Sequence, residues 1–247
     1  MTGETRHGEG GAPPRPLRGI GLDAEQVARF EKLAAGGHPW RHVFSPREAV
    51  HLAAQPRAAR AFCAAFCCKE AFCKALGAAY AFPEFECLYR AGAPELEFVL
   101  PPGFKERLGI EEVRVRIDEQ FLDARGEFVV EVYLSRPARS YLETLQVAAA
   151  EAGRRRIEEE HFSPREIVDL GRRRVQSLAG SLALKRALVR LWAAAGAAVE
   201  PRDFELGHHA SGAPRIVAAP EGVALADVFV SISHTRQWAY GLAAAGR

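Results

Sequence analysis

Phe44-Ser-Pro-Arg-Glu-Ala-Val50 returns later in the same chain as Phe162-Ser-Pro-Arg-Glu-Ile-Val168. One such echo carries little weight, but three more follow in the same order. Lys69-Glu70-Ala71 is matched by Lys185-Arg186-Ala187, Gly92-Ala93-Pro94 by Gly212-Ala213-Pro214, and Val113–Ile117 by Val228–Ile232. Four collinear matches describe a duplicated unit. In each copy the Ser is followed by Pro and, three residues after the Ser, by Glu. That is a capping box with Pro at the first helical position, so Ser45 and Ser163 should each open a helix. Residues 58–76 and 175–195 are then rich in Ala and long side chains, free of Gly and Pro apart from Gly180, and predict one long, largely buried helix per copy. The Gly-Ala-Pro elements read as turns, and 113–117 and 228–233 alternate as strands do. The expected fold is α+β, in two similar halves at 17–138 and 139–247, after a Gly-, Pro- and charge-rich leader at 1–16 that reads as disordered. Each half is near the size at which a single core becomes marginal, so the two should pack face to face as a pseudo-dimer.

Composition excludes several classes. Of 247 residues, 48% are hydrophobic and 26% charged, as in ordinary folded proteins, and the net charge of +2 is far from that of a nucleic-acid coat. No nucleic-acid partner is expected, although the arginine runs at 154–156 and 172–174 could meet an anion. No apolar run reaches the roughly 20 residues of a membrane helix, so no membrane association is expected. The five cysteines, Cys63, Cys67, Cys68, Cys73 and Cys87, are an odd number crowded into one region with no signal peptide before them, which fits a reducing cytoplasm. They lack the spacing of a zinc site and read as small apolar packing residues. Trp192, Trp238, Phe62, Phe66 and Phe72 are expected in the core.

A duplication is informative where its copies disagree. The first copy opens with Gly19-Ile-Gly-Leu-Asp23-Ala-Glu25, and the start of the second, taken as 146–156, has no Asp-x-Glu. Glu70 becomes Arg186 and Lys74 becomes Arg190, so the acids are expected in the first half alone. The second copy ends in Ser231-Ile-Ser233-His234-Thr235, where the first has Arg116-Ile-Asp118-Glu119-Gln120. Acids on one copy and a histidine on the other make one composite site across the joint. Asp23 and Glu25, two apart on a strand, point to one side. Glu70 and Lys74 share a helix face, an arrangement that also fits a plain surface ion pair. His234 reads either as a phosphate ligand or as a structural strand-end residue. Arg172–Arg174 and Arg215 are candidates for an anionic group or a solvated face, and His208 and His209 read as loop residues.

Together Gly21-Leu-Asp23, Lys69-Glu70-Ala-Phe-Cys-Lys74-Ala75 and Ser231-Ile-Ser-His-Thr235 resemble the 4′-phosphopantetheinyl transferase superfamily. It includes the holo-acyl-carrier-protein synthases and the two-half surfactin-synthetase-activating type, and the resemblance spans Gly19 to Gly246. It implies Mg²⁺-dependent transfer of the 4′-phosphopantetheine arm of coenzyme A to a serine of an acyl or peptidyl carrier protein, releasing adenosine 3′,5′-bisphosphate. On that pattern Asp23, Glu25 and Glu70 hold the metal. Glu70 takes the serine proton and Lys74 steadies the leaving phosphate. His234, Ser233, Thr235, Arg173, Arg215 and Lys74 bind coenzyme A. Three departures are visible: the acid half precedes the histidine half, the reverse of the familiar two-half order, Ala65 stands where an arginine is common, and Ala213 replaces the lysine of a Gly-Lys-Pro element. A coenzyme A or carrier-binding module without turnover is the alternative implication, and an interaction protein using its arginine runs a weaker one.

Overall fold

The computed structural model describes residues 17–35, 40–78, 80–89, 96–135, 137–170 and 175–246. The leader, the first Gly-Ala-Pro element and Arg172–Arg174 lie outside the described residues. The first half runs β1 Gly19–Gln26, α1 Glu31–Ala34, α2 Pro46–Ala53, α3 Ala58–Leu76, β2 Glu86–Tyr89, β3 Leu96–Val99, α4 Phe104–Leu108, β4 Val113–Ile117, α5 Glu119–Arg125 and β5 Glu127–Leu134. The second runs β6 Arg139–Gln146, α6 Val147–Ala152, α7 Arg154–His161, α8 Pro164–Leu170, α9 Val175–Ala193, β7 Glu205–His208, β8 Pro214–Ala218, β9 Val228–His234 and β10 Trp238–Ala245. Each half has an antiparallel three-stranded sheet, β1-β5-β4 or β6-β10-β9, and a separate strand pair, β2-β3 or β7-β8. Two similar α+β halves are therefore present, with the long helix of each laid on its sheet.

The local chemistry behaves as the pattern requires and then goes further. Ser45 accepts the Glu48 amide at 3.1 Å while the Glu48 carboxylate accepts the Ser45 amide at 3.2 Å, and Ser163 and Glu166 repeat this at 3.2 and 2.9 Å. The same glutamates reach inward. Glu48 lies 2.7 Å from the Lys69 ammonium, both fully buried, and its other oxygen accepts the Cys87 amide at 2.8 Å. Glu166 lies 2.8 Å from Lys185 and accepts the Leu206 amide at 2.9 Å. Lys69 also donates to backbone carbonyls, among them Phe85, and Lys185 to that of His161. Each clamp ties the capping helix to the long helix and to the next strand. Deleting one partner would leave an unpaired buried charge, at a cost of about 3–5 kcal/mol.

Strand register corrects one expectation. β1 meets β5 from Gly19 opposite Leu134, and β6 meets β10 from Arg139 opposite Ala245. Val113 likewise faces Leu134, and Val228 faces Ala245. The partner of β1 is thus β6, not the stretch 146–156, and Glu143 stands at the place of Asp23 with Leu145 at that of Glu25. The first-half monopoly on acids is overturned at Asp23 and kept at Glu25 and Glu70. The match was hidden because the two strands share only Leu22 with Leu142 and Gln26 with Gln146.

A core formed by Ile20, Leu22, Val129 and Tyr133 from one sheet and Tyr240, Leu242 and Ala244 from the other joins the halves. There the free edge of β1 lies along β9. Gly21 lets α3 sit flush on β1, since a Cβ would fall 1.7 Å from the Ala71 carbonyl oxygen. In the second half the close approach is made by Gly241 of the central strand β10, against the backbone of Leu184. The long helix therefore leans toward the edge strand in one half and the middle strand in the other. Four cysteines are buried, Cys73 is half-buried, and all five are free thiols. Phe62, Phe66, Phe72 and Trp192 are buried as expected, whereas Trp238 is half-buried at the joint under the Arg125 guanidinium.

Candidate active site between the halves

A cleft of about 670 Å³ opens at the joint, with Asp23 of β1 and Lys74 of α3 on one wall and Ser233 and His234 of β9 on the other. Its rim is the turn between β7 and β8, where Gly212 adopts φ +85° and His209 donates its amide to Ala213 at 2.8 Å. Two grooves adjoin it and share Lys74 and Pro214 with it. One, of about 450 Å³, carries Glu70 and Cys73; the other, of about 590 Å³, carries Arg18, His209 and Arg215.

Asp23 is the best-fixed group here. Its Oδ1 receives the Lys74 ammonium at 2.7 Å and the Ser233 hydroxyl at 3.1 Å. Its Oδ2 is buried and has no hydrogen-bond partner among the described residues. Lys74 also donates to the Leu22 carbonyl at 2.9 Å, spending two of its three N–H bonds and leaving its side chain a third exposed. Burial works to lower the Lys74 pKa, but the charge and hydrogen bond of Asp23, with Glu70 behind them, outweigh it, so the amine stays cationic above its ordinary range. Glu70 is pushed up by burial and by the Asp23 charge, partly offset by Lys74 and Arg29. Glu25 is also raised, by burial first and then by Asp23 and Glu70, against the pull of Arg29. The three carboxylates feel one another, which is the electrostatic signature of a site short of positive charge.

The structure thus brings Asp23, Lys74, Ser233 and His234 into one cleft and Glu70 into the adjoining groove. Arg215 lies in the other groove, and two expected residues, Glu25 and Thr235, line none of the three. The Glu25 carboxylate turns to Arg29, four residues on in the turn that leaves β1. Thr235 is buried in the turn after β9, donating to Glu127 at 2.7 Å and accepting the amides of Gln237 and Trp238, so its hydroxyl serves the joint rather than a ligand. Arg173 lies outside the described residues. Among the described residues no three His, Cys, Asp or Glu side chains gather tightly enough to hold a metal ion by themselves. Magnesium, though, commonly takes one or two carboxylates and completes its shell with water and substrate phosphate. The unclaimed Asp23 Oδ2, and Glu70, which feels the Asp23 charge from the adjoining groove, are donors of the type that hard cation takes.

Sequence reasoning missed His208, His209, Ser177 and Ser181, all of which line the cleft. Only the adjacency of the histidines to the Gly-Ala-Pro turn could have pointed to them. In the second half Arg190 pairs with Glu143 at 2.7 Å, repeating the Lys74–Asp23 pair with a longer cation and a longer acid. Asp118 and Glu119 follow Ile117 in sequence as Ser233 and His234 follow Ile232, but β4 ends at Ile117 and Glu119 opens α5, whereas β9 runs on through His234. Among the described residues no helix is long and apolar enough to cross a membrane.

Residues 19–119 match the family model described as the 4′-phosphopantetheinyl transferase superfamily, bearing out the resemblance carried by the motifs. No curated protein sequence matches the chain. Among solved structures, the chain is similar to the Helicobacter pylori holo-acyl-carrier-protein synthase in complex with coenzyme A, at 22% identity and TM-score 0.37, covering 43% of this chain and 99% of that one. It is similar also to the synthase from Neisseria meningitidis, at 21% identity and TM-score 0.40, covering 49% and 99%, and to that from Thermotoga maritima, at 24% and 0.36, covering 51% and 69%.

Proposed function

From the superfamily match over residues 19–119, we propose that this protein moves the 4′-phosphopantetheine arm of coenzyme A onto a serine of an acyl or peptidyl carrier protein. The observation that carries the reading is the meeting of Asp23 and Lys74 from one half with His234 from the other in a single cleft. In the reaction the serine oxygen forms a bond to the arm's phosphorus as the pyrophosphate P–O bond breaks, and adenosine 3′,5′-bisphosphate leaves. Glu70, made more basic by its surroundings, accepts the serine proton. Lys74, held cationic, turns its remaining N–H to the leaving phosphate. His234 and Arg215 bind the phosphates of coenzyme A. Mg²⁺ held by Asp23 and Glu70, with the Glu25 charge nearby, would neutralise the pyrophosphate. Ala65 is fully buried in the first-half core, so the departure there lies away from the cleft.

The test is mass spectrometry of apo carrier proteins incubated with the protein, coenzyme A and Mg²⁺. Carrier gaining the arm supports the reading; coenzyme A bound with the carrier unmodified would replace it with the binding module.

A further inference from the structure

We propose that Ser233 is a positioning residue for Asp23 rather than a contact for coenzyme A, an inference that rests on the transferase reading of the cleft. β1 is an edge strand, and two of its backbone amides are received by side chains of β9 rather than by another strand. Leu22 donates to the Ser231 hydroxyl and Ala24 to the Ser233 hydroxyl, each at 3.1 Å. Ser233 then donates its single proton to Asp23 Oδ1 at 3.1 Å. A serine hydroxyl has one proton to give, so this one is spent on the acid and is not offered to a phosphate. Ser233 is also buried, at 6% exposure. With Lys74 on the same oxygen and on the Leu22 carbonyl, both the backbone and the carboxylate of Asp23 are fixed, and Oδ2 is the atom left over.

The fold does not require this arrangement. In the first half, register puts Arg116 of β4 at the position of Ser231, and an arginine side chain accepts no hydrogen bond. β4 pairs with β5 all the same. The hydroxyls of Ser231 and Ser233 lie on the strand that carries His234, so that strand also sets the aim of Asp23.

The test uses the full chain with Ser233→Ala and Ser233→Thr. Mg²⁺ is titrated calorimetrically into the free protein, and coenzyme A is titrated without metal. Ser233→Ala is expected to lower Mg²⁺ affinity and kcat by about 10-fold or more, as loss of a group that orients a ligand does. Metal-free coenzyme A affinity should fall less than Mg²⁺ affinity, and threonine should restore both. A larger loss for coenzyme A than for Mg²⁺ would overturn the proposal. Denaturant unfolding of the ligand-free Ser233→Ala, Asp23→Asn and double variants supplies a second readout: non-additive midpoints support the link, and additive ones refute it. That cycle needs no ligand, so it decides the point even if the wild-type chain transfers nothing and the functional reading fails.

Discussion

The two halves keep the same buried clamp and differ in the pair that faces solvent. Glu48–Lys69 and Glu166–Lys185 agree in residue type, capping role and backbone partners. Asp23–Lys74 and Glu143–Arg190 agree in place, charge and distance and differ in residue type and exposure. Lys74 is gripped by a nearly buried aspartate, whereas Arg190 is 57% exposed and stacks over Tyr141. Duplication therefore preserved what each core cannot lose and released the surface pair, so that chemistry needed on one side alone could settle there.

The largest effect should come from breaking that agreement at its strongest point. Lys69→Met and Lys185→Met are each expected to cost about 3–5 kcal/mol in urea unfolding, because each strands a buried glutamate. A large loss in one half beside a negligible one in the other would show that the clamps are not equivalent. Next comes the point where the copies diverge: Glu70→Gln should slow carrier modification by roughly 10²–10⁴-fold, and Arg186→Gln should leave it within about twofold, in steady-state assays. The ion pairs rank third. Lys74→Ala is expected to lower kcat by about 10²-fold, whereas Arg190→Ala should leave transfer intact and cost at most about 1 kcal/mol of stability, as exposed pairs do.

The smallest effect concerns pH. The folded-state pKa values of Glu25 and Glu70 are raised, so folding favours their protonated forms. Their contribution to stability is full below the unfolded-state values and is lost as pH rises through the raised folded ones. Ligand-free Glu70→Gln should therefore lose less stability than wild type as pH rises over that interval, in thermal melts from pH 4 to 8. An unchanged slope would mean that the acids do not crowd one another.

Local signals made much of this legible. α3 spans the predicted 58–76, α9 stops two residues short of its predicted end, and β4 and β9 lie where alternation put them. The composite cleft followed from asking which letters one copy held and the other lacked. What stayed hidden depended on partners far away in the chain. Thr235 reads as a ligand beside His234 until Glu127, 108 residues earlier, is found taking its proton. Glu25 matches a metal motif, but Arg29 on the turn leaving β1 competes for it. The clamps escaped notice because capping already explained Glu48 and Glu166, although two lysines retained in both copies pointed to a buried need.

The hydrogen bonds from β1 to Ser231 and Ser233 each span 209 residues. β10, the middle strand of the second sheet, follows β9 in the chain. During synthesis β1 and the first clamp emerge long before β9, so Asp23 stays without its Ser233 contact until the second half follows. The cleft is thus completed only when β9 docks on β1, so it belongs to the two halves together and not to the one that carries Asp23.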